Sequence, residues 1–397
     1  MSIETIKPIR LGGVLYAADT PERNALRDFA HLLQKRGWHV SGLVQEIKRD
    51  PSGNKLGLDA INIKTGEYLP LARPSKEDLE AGTCGFDIGL LAETTAVLRQ
   101  AMNDNADLLV IEKFGEREQD GRGLAEEIVA AAMSGIPTLV AVPATALETW
   151  NEFTGRLGVL LPHDSESLWD WWPKWNLYRG LALGVDDVAI TRIEIGKNSI
   201  LVEGPNGCGI TANPGNISKP DSSILSLSLK DLAFEAQNRD DPLKHALGIA
   251  AILAHYNRYD LEGPDHSGLN HFKNRDDTVL VVGKFPSTKS YSNNSTTIEA
   301  KHALQHLIEN SFDGVILPSH TFGDGLLPTL LDTKGRAETV LVGPETPMSS
   351  MLFDYGVQVL SGRIITDADL AVEIVRNGAT PKDLKPASRY ITLEKQA

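Results

Sequence analysis

The chain has 397 residues, with 39 Lys and Arg against 53 Asp and Glu, a formal net charge of −14; 41% of residues are hydrophobic and 23% charged, the balance of a globular, multidomain protein rather than a disordered one. So acidic a surface repels nucleic acid and anionic membranes, and neither is expected as a partner, whereas a local basic pocket for a small anion stays open. Its 2 cysteines are too few for a disulfide framework or a tetracysteine zinc site and fit a reducing cytoplasm; the opening MSIETIKPIRLGGVLY lacks a secretion pattern, and no apolar run approaches the ~18 residues of a membrane span.

The first third alternates strand and helix signals. Residues 10–18 read as a buried strand and 22–36 as a helix with Leu26, Phe29, Leu32 and Leu33 on one face, stopped at Gly37. A strand at 39–45 follows, then a hairpin turning at Thr65-Gly66, a helix over 87–103, a doubly buried strand at 107–111, a helix at 123–134 and a strand at 137–142. Residues 162–176 break this rhythm and hold Trp169, Trp171, Trp172 and Trp175. They read as a linker packing one domain onto the next, the alternative being an exposed aromatic surface that docks a partner.

The middle has short β runs at 188–195, 199–203 and 208–212, then helices at 228–237 and 242–257, an α+β order. The last third alternates again, with strands at 278–282, 314–317, 338–342 and 357–360 and helices at about 296–310, 322–332, 348–355 and 367–377. The fold class expected is α/β: an N-terminal parallel-sheet domain at 1–161, the Trp-rich linker at 162–176, a small α+β domain at 177–270 and a Rossmann-like, doubly wound domain at 271–397.

In open parallel sheets ligands bind beyond the carboxyl ends of the strands, which turns strand positions into candidate residues. In the last third the post-strand loops present Gly283, Lys284, Ser319, His320, Thr321, Asp324, Gly343, Glu345 and Thr346. Glycines let a ligand approach the backbone, and amides at the next helix start attract anions. A second candidate site lies in the first third: Glu112, Lys113, Glu116 and Glu118 after the 107–111 strand, whose carboxylates suit a magnesium ion, with Cys84 and Asp87 at the opening of the 87–103 helix. The phosphate-cradling G-x-x-x-x-G-K-[ST] and the G-x-G-x-x-G fingerprint are both absent. His302, His306 and Glu299 share a helix face but lack the metalloprotease glutamate, and read as a solvated face.

Two resemblances cover most of the chain. The last two thirds resemble a heavy-metal-chelation family, on the run from Asp241-Pro242-Leu243-Lys244-His245 to Ala251, on Val282-Gly283-Lys284-Phe285-Pro286, on the Ser319-to-Gly325 loop, and on Val342-Gly343-Pro344-Glu345-Thr346-Pro347 leading to Leu352-Phe353-Asp354-Tyr355-Gly356. The resemblance implies an enolase-N-terminal-like α+β domain joined to a Rossmann-like domain. This chain has Asp324-Gly325-Leu326 where that family carries Asn-Gly-Thr, and Glu345 where it carries Ser. The first third is similar to a bacterial family associated with molybdate transport, itself distantly similar to small P-loop nucleoside triphosphatases. The matching residues are Gly37-Trp38, Gly42-Leu43-Val44-Gln45, Cys84 with Asp87, and Phe114-Gly115 through Glu118 to Gly121-Arg122-Gly123, with Glu112-Lys113 in place of Asn-Arg. Without a Walker-type lysine, nucleotide hydrolysis does not carry over.

Residues and resemblances together lead to the expectation of a cytoplasmic metal- or oxyanion-binding protein of molybdenum or heavy-metal handling, its ligand at the carboxyl ends of the Rossmann-like strands. The cofactor is unidentified, a heavy-metal ion or molybdate being what the resemblance implies. The partner is a small molecule or a metal or oxyanion, with a homo-oligomer left open. The alternative is an enzyme acting on a nucleotide-like or phosphorylated small molecule in an inter-domain cleft.

Overall fold

The structure is a computed structural model that describes residues 10–51, 55–72, 88–172, 176–215, 224–285 and 291–396. The chain forms two compact units, 1–172 and 173–397.

The first unit is built on a seven-stranded sheet. Its elements are β1 (Leu11–Tyr16), α1 (Ala25–Lys35), β2 (Val40–Arg49), β3 (Lys55–Asn62), β4 (Tyr68–Ala72), α2 (Ile88–Asn103), β5 (Leu108–Glu112), α3 (Glu116–Gln119), α4 (Ala125–Ser134), β6 (Thr138–Pro143), α5 (Leu147–Phe153), β7 (Val159–Pro162) and α6 (Ser165–Trp171). The sheet order is β4-β3-β2-β5-β6-β1-β7. The strands from β2 to β7 are parallel, and the β3–β4 hairpin adds antiparallel strands at one edge. β5 and β6 are buried at successive positions, LLVI and TLVAV, so neither shows the alternation of a half-exposed strand. At Gly42 in β2 the backbone takes a φ of 128°, and a Cβ there would collide with the Val110 carbonyl of β5, so only glycine lets these strands approach.

The tryptophan-rich stretch differs from its sequence reading. Up to Trp172 it is no linker but helix α6 of the first unit, capped by Asp164, which accepts the Ser167 amide at 2.7 Å. Trp169 meets Phe29 edge-on at 4.9 Å, and the buried Trp172 meets Trp38 at 5.2 Å. Burial of large rings against α1 and the start of β2 outweighs the polar residues around them.

The second unit opens with α7 (Leu177–Leu183) and the antiparallel β8 (Arg192–Ile195), β9 (Ser199–Glu203) and β10 (Cys208–Ala212), followed by α8 (Leu229–Phe234) and α9 (Pro242–Tyr256). Asp241 caps α9 by accepting the Leu243 and Lys244 amides at 3.1 Å, and Pro242 supplies the preset φ of a first turn. Then come β11 (Thr278–Val282), β12 (Asn294–Ile298), α10 (Ala300–Glu309), β13 (Gly314–Pro318), α11 (His320–Gly323), α12 (Leu327–Thr333), β14 (Glu338–Val342), α13 (Met351–Asp354), β15 (Val359–Ile365), α14 (Ala368–Arg376) and β16 (Ser388–Glu394). The sheet order is β12-β11-β13-β14-β15-β16, parallel except for β16, which runs antiparallel to β15.

This sheet is mixed rather than wholly parallel, and β12 and β16 are strands absent from the sequence reading. The helix expected over 322–332 is two pieces, broken where Gly325 takes a φ of 77°. The α+β and Rossmann-like parts share a core: Leu201, Cys208 and Ile210 pack with Ile365, Ala371, Val372 and Val375. The buried Asn257 fastens α9 to the sheet, donating to the Thr346 carbonyl at 3.0 Å and accepting the Met348 amide at 3.0 Å. Among the described residues no helix is long and apolar enough to cross a membrane.

Candidate functional site

In the second unit the tips of the parallel strands open onto a cleft of about 930 Å³. β11 contributes Lys284 and Phe285, β13 Pro318, Ser319 and His320, and β14 Val342, Gly343 and Pro344. Opposite them in sequence stand two segments: Asp265 to Leu269, and Arg363 with Lys382, Lys385 and Tyr390. Among the described residues the lining holds four cations, Lys284, Arg363, Lys382 and Lys385, and one carboxylate, Asp265. In a chain of net charge −14 this is a local reversal of sign.

Arg363 is the most firmly held of these cations. It is 8% exposed, donates to the Lys382 carbonyl at 2.8 Å, and lies over the Tyr390 ring at 5.3 Å. Its Nε is buried and has no hydrogen-bond partner. Two carbonyls of the Pro381–Ala387 turn hold the guanidinium in place, so its charge is fixed at the cleft wall. His320 titrates below the ordinary imidazole value because it is buried, with Lys382 adding to the effect and Asp324 opposing it. It therefore enters the cleft mainly as a neutral ring at pH 7. Ser319 accepts the Glu345 amide at 3.1 Å, and Gly343, at a φ of 141°, passes so close that a Cβ would collide with the Ser319 hydroxyl.

The strand-end residues named from sequence separate into groups. Lys284, Ser319, His320 and Gly343 line the cleft, and Gly283, with a φ of 80°, makes the turn into Lys284. Asp324 and Glu345 instead line a second cavity of about 260 Å³ with Thr211, Arg239 and His245. Glu345 is 3% exposed and accepts the Thr211 hydroxyl at 3.0 Å and the Ala212 amide at 2.8 Å; burial raises its carboxyl above the ordinary value, despite these two bonds. Thr321 and Thr346 are core residues: Thr321 donates to the Pro318 carbonyl at 2.7 Å, and both are fully buried. The tips thus form two cavities, not a single convergent set.

In the first unit, Cys84 and Asp87 lie outside the described residues. Glu118 is unavailable to a magnesium ion, because its two oxygens accept the Gly115 and Leu124 amides at 2.9 Å each and close the loop. Lys113 and Glu116 are exposed. Glu112 accepts the Gln45 amide at 2.6 Å, and its burial raises its carboxyl. Tyr16, raised to about 12 by burial and by Glu112, and His163, whose Nδ1 sits 2.9 Å from the Glu22 carbonyl, were missed by sequence reasoning. Among the described residues no group of three or more His, Cys, Asp or Glu stands ready to hold a metal ion. Glu299, for instance, pairs with Lys301 at 2.7 Å. Sequence reasoning also missed Arg363, Lys382, Lys385 and Tyr390, whose signals were a basic pair between prolines and the alternating run SRYITLE.

Fold and cleft define the class: a two-unit α/β protein with a cationic cleft at the strand ends of its second sheet. Comparison with known proteins adds families. Residues 11–171 match the family described as "Protein of unknown function (DUF2478)", and residues 267–394 match the family DUF364, described as "Putative heavy-metal chelation". The two matches fall on separate segments of the chain, and the cleft lies almost entirely in the segment that matches DUF364. Over 167 residues, 42% of this chain, it is 35% identical to the molybdenum import ATP-binding protein ModC 2 of Bradyrhizobium diazoefficiens, and it spans 18% of that protein's length. Two solved DUF364 proteins of unknown function are similar over 56% of this chain and 98% of theirs: one from Desulfitobacterium hafniense at 24% identity and a TM-score of 0.47, the other from Pyrococcus horikoshii at 19% and 0.46.

Proposed function

We propose that this protein binds a metal in oxyanion form, of which molybdate is the type, in the cleft at the carboxyl ends of β11, β13 and β14. The carrying observation is the lining: among the described residues, four cations against one carboxylate, with Arg363 held in place by two backbone carbonyls. A bare divalent cation asks for carboxylates, imidazoles or thiolates converging on a point, and the cleft supplies the opposite charge. A tetraoxyanion asks for N–H and O–H donors and positive charge, which Lys284, Arg363, Lys382 and Ser319 provide. The heavy-metal description of DUF364 and the molybdenum in the relative's name fit this reading, because molybdenum in water is an anion.

Equilibrium dialysis of the purified chain, read by elemental analysis, tests it. Molybdate or tungstate is expected to be retained at about one per chain, and zinc or nickel at the same concentration not. Retention of a divalent cation with no oxyanion overturns the reading.

A further inference from the structure

We infer that the natural occupant of the cleft is larger than a bare ion: an organic anion whose charged head meets Arg363 and the lysines while a planar apolar body covers the remaining wall. The inference rests on the anion-binding reading above, in which a free oxyanion such as molybdate takes the place of the charged head, and adds the class of ligand that carries that head. Size is its first support. The cleft measures about 930 Å³. That lies near the top of the ~300–1,000 Å³ range of clefts that hold drug-sized ligands. A tetraoxyanion carries four oxygens and displaces on the order of 120 Å³, even at a full water's ~30 Å³ per oxygen. Most of the cleft is left over.

The lining is the second support. Leu269, Phe285, Pro318, Val342, Pro344 and the Tyr390 ring are apolar surface that a hydrated inorganic ion does not use. Phe285 is half-buried, touching Tyr291 edge-on with ring centroids 6.2 Å apart, which leaves aromatic surface beside Lys284. Tyr390 carries the Arg363 guanidinium over its ring at 5.3 Å, which fixes the cation within the same lining as Phe285. An anionic group on an aromatic or heteroaromatic ring matches both; a carbohydrate phosphate matches only the charge.

Isothermal titration of the full chain with inorganic phosphate, 1-naphthyl phosphate and 1-naphthol separates the terms. Naphthyl phosphate is expected to bind at least tenfold more tightly than either of the others, and Phe285→Ser to narrow that gap. Equal affinity for phosphate and naphthyl phosphate overturns the inference and leaves the anion-binding reading standing. Naphthol binding as tightly as naphthyl phosphate also overturns it. If neither phosphate binds and molybdate does not either, the anion-binding reading itself fails.

Discussion

Arg363 is positioned before any ligand arrives: carbonyls of Pro381 and Lys382 take its terminal nitrogen, and Tyr390 backs its plane. Such a preset donor binds without losing much rotamer freedom. Removing a charge-assisted hydrogen bond costs about 1.5–3 kcal/mol, so Arg363→Met should weaken oxyanion binding roughly 10- to 100-fold while circular dichroism shows a folded chain. Arg363→Lys should recover only part, since an ammonium lacks the planar fork. Unchanged affinity in a folded Arg363→Met would remove this residue from the site. Glu345 is governed by a different force. Its native carboxyl holds a proton more tightly than the unfolded chain does, because burial raises it from 4.5. Stability therefore falls as pH rises from the unfolded value through the raised native one, and stays lowered above it. Glu345→Gln keeps an oxygen for Thr211 and Ala212 and removes the charge. Its melting temperature should exceed the parent's at pH 8, with the difference fading toward about pH 4. A gain that instead grows toward acid contradicts the assignment.

At the scale of elements, the loop after β5 is closed by one side chain. Glu118→Ala leaves the Leu124 amide without its acceptor, at about 1–3 kcal/mol if it stays buried, while the Gly115 amide keeps the Lys113 carbonyl at 3.1 Å. A urea midpoint that barely moves would mean water replaces the carboxylate at no cost. The parallel strands were legible because strands covered on both faces read as unbroken apolar runs, such as TVLVV in β11 and ETVLV in β14. The strand-end rule then led to Lys284, Ser319, His320 and Gly343. The polar NSTTI of β12, an edge strand, gave no such signal. Arg363 was hidden by register: β15 runs on to Ile365, so an arginine past the apolar run sits within the sheet. The direction of Glu345 depends on Thr211, 134 residues earlier, and on the unusual φ of Gly343. Neither is written in a local window of sequence.

For the whole molecule, the charge argument is one of contrast. A chain of net charge −14 repels a dianion at long range, and the cleft attracts it only at close quarters. Among the described residues, all that line the cleft belong to the unit 173–397, whose core joins the α+β and Rossmann-like parts. A fragment beginning at Pro173 should therefore fold and hold the oxyanion with the affinity of the full chain; a fragment that folds but does not bind would bring the first unit into the site. The most direct test is a crystal soaked in tungstate, read by its anomalous scattering. The account predicts one peak among Lys284, Arg363 and Lys382, beside the Arg363 guanidinium. A tungsten peak only in the smaller cavity beside Glu345, or none in this unit at all, would contradict it.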